Sequence, residues 1–251
     1  KISYLKKGRA FLYTDSITRK QNTSTNLGLI IEQRLALLDP LHLNIERITF
    51  PKIYVTKKED EFAISLFKNN DLDQSKKTIM VSILGSSSDK TFPLNYMSNL
   101  VDFIADHGDF NILFNYFPKQ IEEATTIYNG CKDSTKKKIY FSILGKSIRE
   151  FIAIMNQCDM IIGNDGGAIN MAKAINKPSF IVFSPWIDKK GWATFEDGIN
   201  HISLHLNEFK PELFEGKSTK TIKKETESFY NEFQPQLLFP SLQSFLNTHA
   251  G

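Results

Sequence analysis

Between Lys76 and Phe183, short apolar runs alternate with stretches whose apolar residues recur every three or four positions. TIMVSIL (78–84), FNILFN (110–115), KIYFSIL (138–144), DMIIG (159–163) and SFIVF (179–183) read as buried strands. Between the first two, Met97, Leu100, Val101, Ile104 and Ala105 share one side of a helix that stops at His107-Gly108. Pro118 suits a first helical position, and Ile121, Ala124 and Tyr128 mark one face of the helix that follows. Ser147 with Glu150 makes a capping box ahead of Ile148, Phe151, Ile152 and Met155, and a further short helix is predicted over 167–176. Strands apolar on both faces, alternating with helices, make a parallel sheet covered on both sides. Such sheets bind ligands at the carboxyl ends of their strands. Function is therefore expected in the loops after residues 84, 115, 144, 163 and 183.

The first 75 residues predict less. AFLYT (10–14) and PKIYV (51–55) have strand character, and NLGLIIEQRLALLD (26–39) and KEDEFAISLFKNN (58–70) have helical spacing, about half a sheet domain in all. NNDLDQSKK (69–77) is polar and aperiodic and reads as a linker. After Glu208 come a mixed-charge loop, a helix around 219–233 and the run LLFPSLQSFL (237–246). The pattern divides the chain into 1–75, 76–210 and a helical tail, 211–251, expected to pack back toward the N-terminal part.

Composition adds exclusions. With 41% hydrophobic and 24% charged residues among 251, the chain has the make-up of a globular domain or two, and no apolar run reaches the ~18–20 residues of a membrane span. KISYLKKGRA has no signal-peptide core, and the chain opens on Lys1 rather than Met, as a processed or truncated piece would. Cys131 and Cys158 form no paired framework and no C-x-x-C motif, which fits two reduced thiols in a cytoplasmic protein. A net charge of +3 does not point to nucleic acid. The clusters Lys76–Lys77, Lys136–Lys138, Lys189–Lys190 and Lys220 with Lys223–Lys224 read as solvated surface, with attraction to an anionic leaflet as the alternative.

Two loops carry the candidate chemistry. Gly163-Asn164-Asp165-Gly166-Gly167 joins a strand to a helix; its glycines permit close approach to main-chain N–H groups, and a helix start offers unpaired donors and a positive dipole end, a setting for a diphosphate. Asp165 either N-caps that helix or belongs to the ligand site. Gly85-Ser86-Ser87-Ser88-Asp89-Lys90 follows the first strand of the alternating region, with three hydroxyls and an ammonium that can hold phosphate oxygens; the spacing is not that of a Walker loop. Alone such a loop is more often a plain turn; two of them at carboxyl ends of one sheet point to a shared anionic ligand. Trp186 and Trp192 are pocket-lining or packing residues. His201, Ser203 and His205 share a strand face, but no third ligand stands near them, so no metal site is expected.

Taken together, LGKSIREFIAIMNQCDMIIGNDGGAINMAKAINKPSFIVFSP (144–185) resembles the C-terminal signature of glycosyltransferase family nine, the lipopolysaccharide heptosyltransferases. Leu144-Gly145-Lys146, Cys158-Asp159, Asp165, Gly167, Ala172, Lys177-Pro178 and Phe183-Ser184-Pro185 fall in the order and spacing of that family's pattern. GSSSDKTFP (85–93) is similar to its donor loop, with Lys90 where a phosphate-contacting lysine is expected. Asn170 stands where the family has a histidine, Gly166 where it has a threonine, and NYFPKQ (115–120) lacks the glutamate found after the family's second strand.

The resemblance implies an α/β fold of the GT-B type, two Rossmann-like domains with parallel sheets, the N-terminal one incomplete here. In that scheme 1–75 is a partial acceptor-side domain and 76–210 the nucleotide-sugar donor domain. It further implies an inverting transfer of heptose or a related sugar from a nucleotide-diphosphate donor, ADP-heptose or similar, to a lipopolysaccharide or related glycan. Neither cofactor nor metal is expected. The enzyme would be cytoplasmic, with peripheral contact at the inner membrane. Ser86, Ser87, Ser88, Lys90, Asp165, Gly166, Gly167 and Asn170 would bind the donor phosphates, and Gly145, Lys146 and Trp186 would line the donor pocket. The general-base aspartate of the family is expected in a segment before Lys1, so no catalytic residue is assigned; Asp15 has no motif to support it. A GT-B nucleotide-sugar epimerase and a non-catalytic nucleotide-sugar-binding protein are the alternatives.

Overall fold

Ile2–Tyr4 (β1) and Asp15–Ile17 (β2) pair in parallel in the computed structural model, which describes residues 1–44 and 50–250. The strand expected over 10–14 is absent: Ala10–Leu12 makes one 3-10 turn, around which the N–H groups of Arg9, Leu12 and Tyr13 bond back to the Lys6, Arg9 and Ala10 carbonyls, locally rather than in a ladder. Leu29–Ala36 (α1) completes this small unit together with Asp188–Asp197. Phe195 holds that returning segment in place, with its N–H on the Asn26 carbonyl at 2.6 Å and its ring 4.4 Å from that of Phe50.

The larger unit, Lys52–Ile187 with Gly198–Gly251, carries the sheet. Pro51–Val55 is extended but joins no strand; Ile53 gives its N–H to the Ala174 carbonyl, which corrects the expected strand. Lys57–Asn69 (α2) starts on a complete Thr56–Glu59 capping box. It packs against Ile148–Gln157, where Arg149 bonds Glu59 at 2.5 and 2.6 Å and Asn156 bonds Asp60 at 3.2 Å.

The elements then alternate as Thr78–Ser82 (β3), Leu94–His107 (α3), Asn111–Asn115 (β4), Ile121–Gly130 (α4), Ile139–Tyr140 (β5), Ile148–Gln157 (α5), Met160–Asn164 (β6), Gly167–Ala174 (α6), Ser179–Val182 (β7) and His201–Leu204 (β8). All six strands are parallel in the order β5-β4-β3-β6-β7-β8. The chain winds outward from β3 in one direction, returns to the other side of β3 and winds outward again. The switch lies between β3 and β6, and sheets of this order hold ligands in the crevice beyond that pair.

Several expectations are corrected in detail. Of KIYFSIL only Ile139–Tyr140 pairs; Phe141 turns away, its ring 5.1 Å from Tyr116 and 5.5 Å from Tyr128. Ile121 and Ile148 do not face the core, being 44% and 64% exposed at the first positions of their helices, where the chain is still entering from the loop. The Ser147 cap is made, but the Glu150 carboxylate takes the Lys146 N–H rather than that of Ser147, so the expected box is half formed.

Thr219–Lys224 (α7), Thr226–Glu232 (α8) and Phe239–His249 (α9) form the tail. Phe229, Tyr230, Phe233, Leu238, Leu242, Phe245 and Leu246 are buried in the same core as β3, β4 and α3, and Phe239 stacks on Phe103 at 4.2 Å. Cys131 and Cys158 are buried and unpaired with each other; burial pushes the Cys131 thiol up to about 12 and Cys158 higher, so neither is a thiolate at neutral pH. No helix among the described residues is long and apolar enough to cross a membrane.

Candidate functional site

At the switch point Ser82 of β3 lies opposite Gly163 of β6. Gly163 sits at φ +134, and a Cβ there would fall 2.3 Å from the Ser82 carbonyl oxygen, so glycine is needed for the two strands to close. The next residue, Asn164, is 1% exposed. Its carbonyl oxygen accepts the Phe92 N–H at 2.7 Å and its amide donates to the Ser82 carbonyl at 3.0 Å, tying the far end of the 85–91 loop to both strands. Phe92 itself is fully buried among the rings of Tyr96, Tyr230 and Phe233. Gly85 begins the loop where a Cβ would meet the Lys90 carbonyl at 2.4 Å; its N–H goes to Thr91 Oγ1 and its carbonyl accepts from Gln120. The loop is thus pinned at both ends and presents exposed Ser86, Ser87 and Ser88 and half-buried Lys90 at the strand's carboxyl end.

The second loop meets it from β6. Gly166, not Asp165, is the N-cap of α6, and no side chain caps that helix start. A Cβ on Gly166 or Gly167 would meet nothing within 4 Å. These two glycines therefore do different work from Gly163 and Gly85: they leave the first-turn amides of α6 open to a ligand. Burial raises the pKa of Asp165, opposed by the charges of Lys90 and Lys173 and by the Gly166 N–H. The Asn164–Phe92 bond ties the Lys90 loop to the strand that leads into Asp165, so Lys90 and Asp165, 75 residues apart in sequence, lie on neighbouring loops. Asn170 is exposed on the first turn of α6.

A third side comes from the loop after β7 and from the tail. Ser184 Oγ and Trp186 Nε1 both donate to the Asp89 carbonyl, at 2.6 and 2.9 Å. The Lys90 ammonium lies 5.4 Å from the centre of the Trp186 indole, and that of Lys223, on α7, lies 4.1 Å from it. Lys223 also pairs with the Asp89 carboxylate at 3.1 Å. The buried Tyr230 hydroxyl of α8 hydrogen-bonds with the Ser184 side chain. Asn164, Asp89 and Ser184 stood inside the quoted motifs and Lys223 in a basic cluster read as solvated surface, but none was given a part in the site, and Tyr230 was not named. Lys223 in particular is no idle surface charge, and only its order after β8 in the chain, which returns to the sheet's end, could have hinted at this.

Gly145, whose Cβ would clash with Phe151 N at 2.5 Å, and exposed Lys146 sit at the start of α5, beyond the edge strand β5 and two strands from the switch point. Trp192 belongs to the smaller unit and is half exposed. His201 bonds Ser179 at 3.0 Å and His205 bonds the Pro185 carbonyl at 3.1 Å, each engaged in the fold. Among the described residues no three His, Cys, Asp or Glu side chains gather as a metal would need. The Lys90 and Lys223 ammoniums, the exposed serines 86–88 and the open start of α6 make the site suited to an anion.

The sequence model of glycosyltransferase family 9 (heptosyltransferase) matches residues 1–223. Lipopolysaccharide heptosyltransferase 1 of Campylobacter coli is 27% identical over 140 residues, 50% of this chain and 39% of that protein. The glycosyl transferase family 9 structure from Veillonella parvula shares the fold with a TM-score of 0.61 at 16% identity, over 89% of this chain and 65% of that one. The structure of E. coli heptosyltransferase WaaC with ADP gives 0.54 at 14% identity, over 88% of this chain and 61% of that one. The chain spans less than two thirds of the length of each of these relatives.

Proposed function

Because the chain belongs to glycosyltransferase family 9, we propose that it serves transfer of a heptose or related sugar from a nucleotide-diphosphate donor to a lipopolysaccharide core or related glycan, its larger unit holding the donor. The observation that carries this reading is the meeting of Lys90 with the open, uncapped start of α6 at the β3–β6 switch point. The diphosphate lies on the first-turn amides of α6 with Lys90 across it, and Trp186 walls the site. Transfer with inversion is a single displacement: an acceptor hydroxyl attacks the anomeric carbon as its bond to the diphosphate oxygen breaks, and the hydroxyl proton passes to a base. Lys90 and the helix start stabilise the charge that grows on the departing diphosphate. No residue of this chain is assigned the general base. A lipid-linked acceptor would place the reaction at the cytoplasmic face of the inner membrane.

The test is titration calorimetry of ADP and adenosine against wild type and Lys90→Ala. A lysine held on a diphosphate makes charge-assisted bonds, so its loss should weaken ADP by about 1.5–3 kcal/mol, roughly tenfold to a hundredfold. Adenosine, which offers it no charge, should change little. Equal loss for both ligands, or none for either, removes Lys90 from the site. Since lysines and a helix start supply the positive charge, ADP affinity is also expected to survive EDTA; recovery of a lost affinity on adding Mn²⁺ or Mg²⁺ would overturn that.

Asn170, uncharged where the family carries histidine, favours a second reading in which the donor is bound but not transferred. Product analysis with the complete protein and a nucleotide heptose distinguishes the two.

A further inference from the structure

Asp89 is held from three directions. Its backbone carbonyl accepts from Ser184 and Trp186, its carboxylate takes the Ser87 hydroxyl, and the Lys223 ammonium pairs with it at 3.1 Å. Lys90 adds its charge from the next position along the loop. Two ammoniums therefore lie near one indole, Lys223 paired with Asp89 and Lys90 in the field of both Asp89 and Asp165, with the three exposed serines alongside. Like charges so placed repel, and the Asp89 carboxylate pairs directly with only one of them. Asp89 thus occupies, within the fold, the place of a larger anion.

Resting on the donor-site reading above, we propose that Lys223 is a second phosphate-binding lysine, delivered by the C-terminal tail, and that Asp89 is its resident counter-ion, displaced when a diphosphate enters. The tail is then part of the donor site and not only a cover for the core. The next helix, α8, is anchored in the core by buried Phe229 and Tyr230, the latter bonded to Ser184, and so helps fix α7 beside the loop after β3. It also explains why the Lys223 side chain is 51% exposed while engaged on two partners; an ion pair with one exposed member opens at little cost and can be exchanged for a phosphate.

A plainly structural alternative makes the Lys223–Asp89 pair a surface tie between tail and loop. The two readings differ in which ligand notices the change. We would titrate ADP, inorganic pyrophosphate and adenosine into the full chain as wild type, Lys223→Ala, Asp89→Asn and the double variant. Lys223→Ala should weaken ADP and pyrophosphate about tenfold and adenosine less than twofold. Asp89→Asn should tighten ADP about threefold, because the competing carboxylate is gone, and that gain should vanish when Lys223 is also alanine. Equal losses for ADP and adenosine, or an unchanged ADP affinity in Lys223→Ala while Lys90→Ala is weakened, would overturn the role of Lys223 and leave the donor site standing. Failure of wild type to bind either ADP or pyrophosphate would overturn both. Because Lys223 is half exposed, its replacement should leave the circular dichroism spectrum unchanged, which keeps every arm readable.

Discussion

Gly167→Val should cost the protein about a hundredfold or more in nucleotide-diphosphate affinity while leaving its secondary structure and thermal midpoint within about 2 °C of wild type. The reason lies in where the new side chain goes. A Cβ at Gly167 meets nothing within 4 Å, so the fold does not resist it, and valine is no poorer a helix former than the glycine it replaces. Its methyl groups fill the space over the first-turn amides of α6 that a diphosphate needs. Phosphate oxygens on those amides make charge-assisted bonds of about 1.5–3 kcal/mol each, and losing two of them accounts for the hundredfold. Gly163→Val is the instructive contrast. There φ is +134 and the Cβ would sit 2.3 Å from the Ser82 carbonyl, so β3 and β6 separate and the protein loses structure before any ligand is added. Calorimetry with ADP beside circular dichroism reads both outcomes. Unchanged ADP binding in Gly167→Val would place the diphosphate elsewhere.

Glu32→Gln should destabilise the smaller unit by about 3 kcal/mol at neutral pH and abolish an acid transition that wild type shows. Glu32 is 4% exposed on α1. Burial alone would raise its pKa, but the hydroxyls and N–H groups of Thr25 and Ser24, at 2.7 to 3.0 Å, outweigh burial and hold it down from 4.5 to about 2. The Lys20 ammonium lies 3.3 Å away. A carboxylate whose folded-state pKa is depressed contributes stability that is fully present above its unfolded value. That contribution falls as pH drops from about 4.5 and is gone near 2. A glutamine amide has one acceptor oxygen and brings two donors toward groups that are themselves donors, so it cannot replace the carboxylate. Hydrogen exchange of the α1 amides, followed from pH 7 downward, isolates this unit from the larger one. Equal protection in both proteins at neutral pH, or the same acid dependence in both, would show that the Glu32 network carries no stability.

Much of the sheet unit was legible from periodicity because its strands are buried on both faces and its helices on one. Thr78–Ser82, Met160–Asn164 and Ser179–Val182 are buried residue by residue, and a wholly apolar run flanked by helical spacing has few other folds to join. Segments with weaker constraints were misread. AFLYT and PKIYV have strand-like residues, but a strand exists only where a neighbour offers a run of backbone partners, and among the described residues the backbone bonds to other segments are single ones, Thr14 to Lys1 and Ile53 to Ala174. KIYFSIL pairs through only two residues because it is the edge strand, where aromatic contacts of Phe141 compete with the ladder.

The candidate site divides in the same way. Order along the chain placed Lys90 and Asp165 after buried strands, and parallel topology alone sends both loops to the same end of a sheet. That β3 and β6 are neighbours, so that the two loops meet, depends on the crossover back over the sheet. Which glycines serve the backbone and which lie open to a ligand depends on the atoms a Cβ would strike, and those belong to Ser82 and Lys90, far off in sequence. Lys223 and Glu32 sat in the sequence as ordinary charges on helical faces. Their partners, Asp89 and Trp186 for one and Ser24 and Thr25 for the other, are brought to them by packing. Local pattern reports how a segment will bury itself. Charge pairing across 134 residues is decided only when the tail folds onto the sheet.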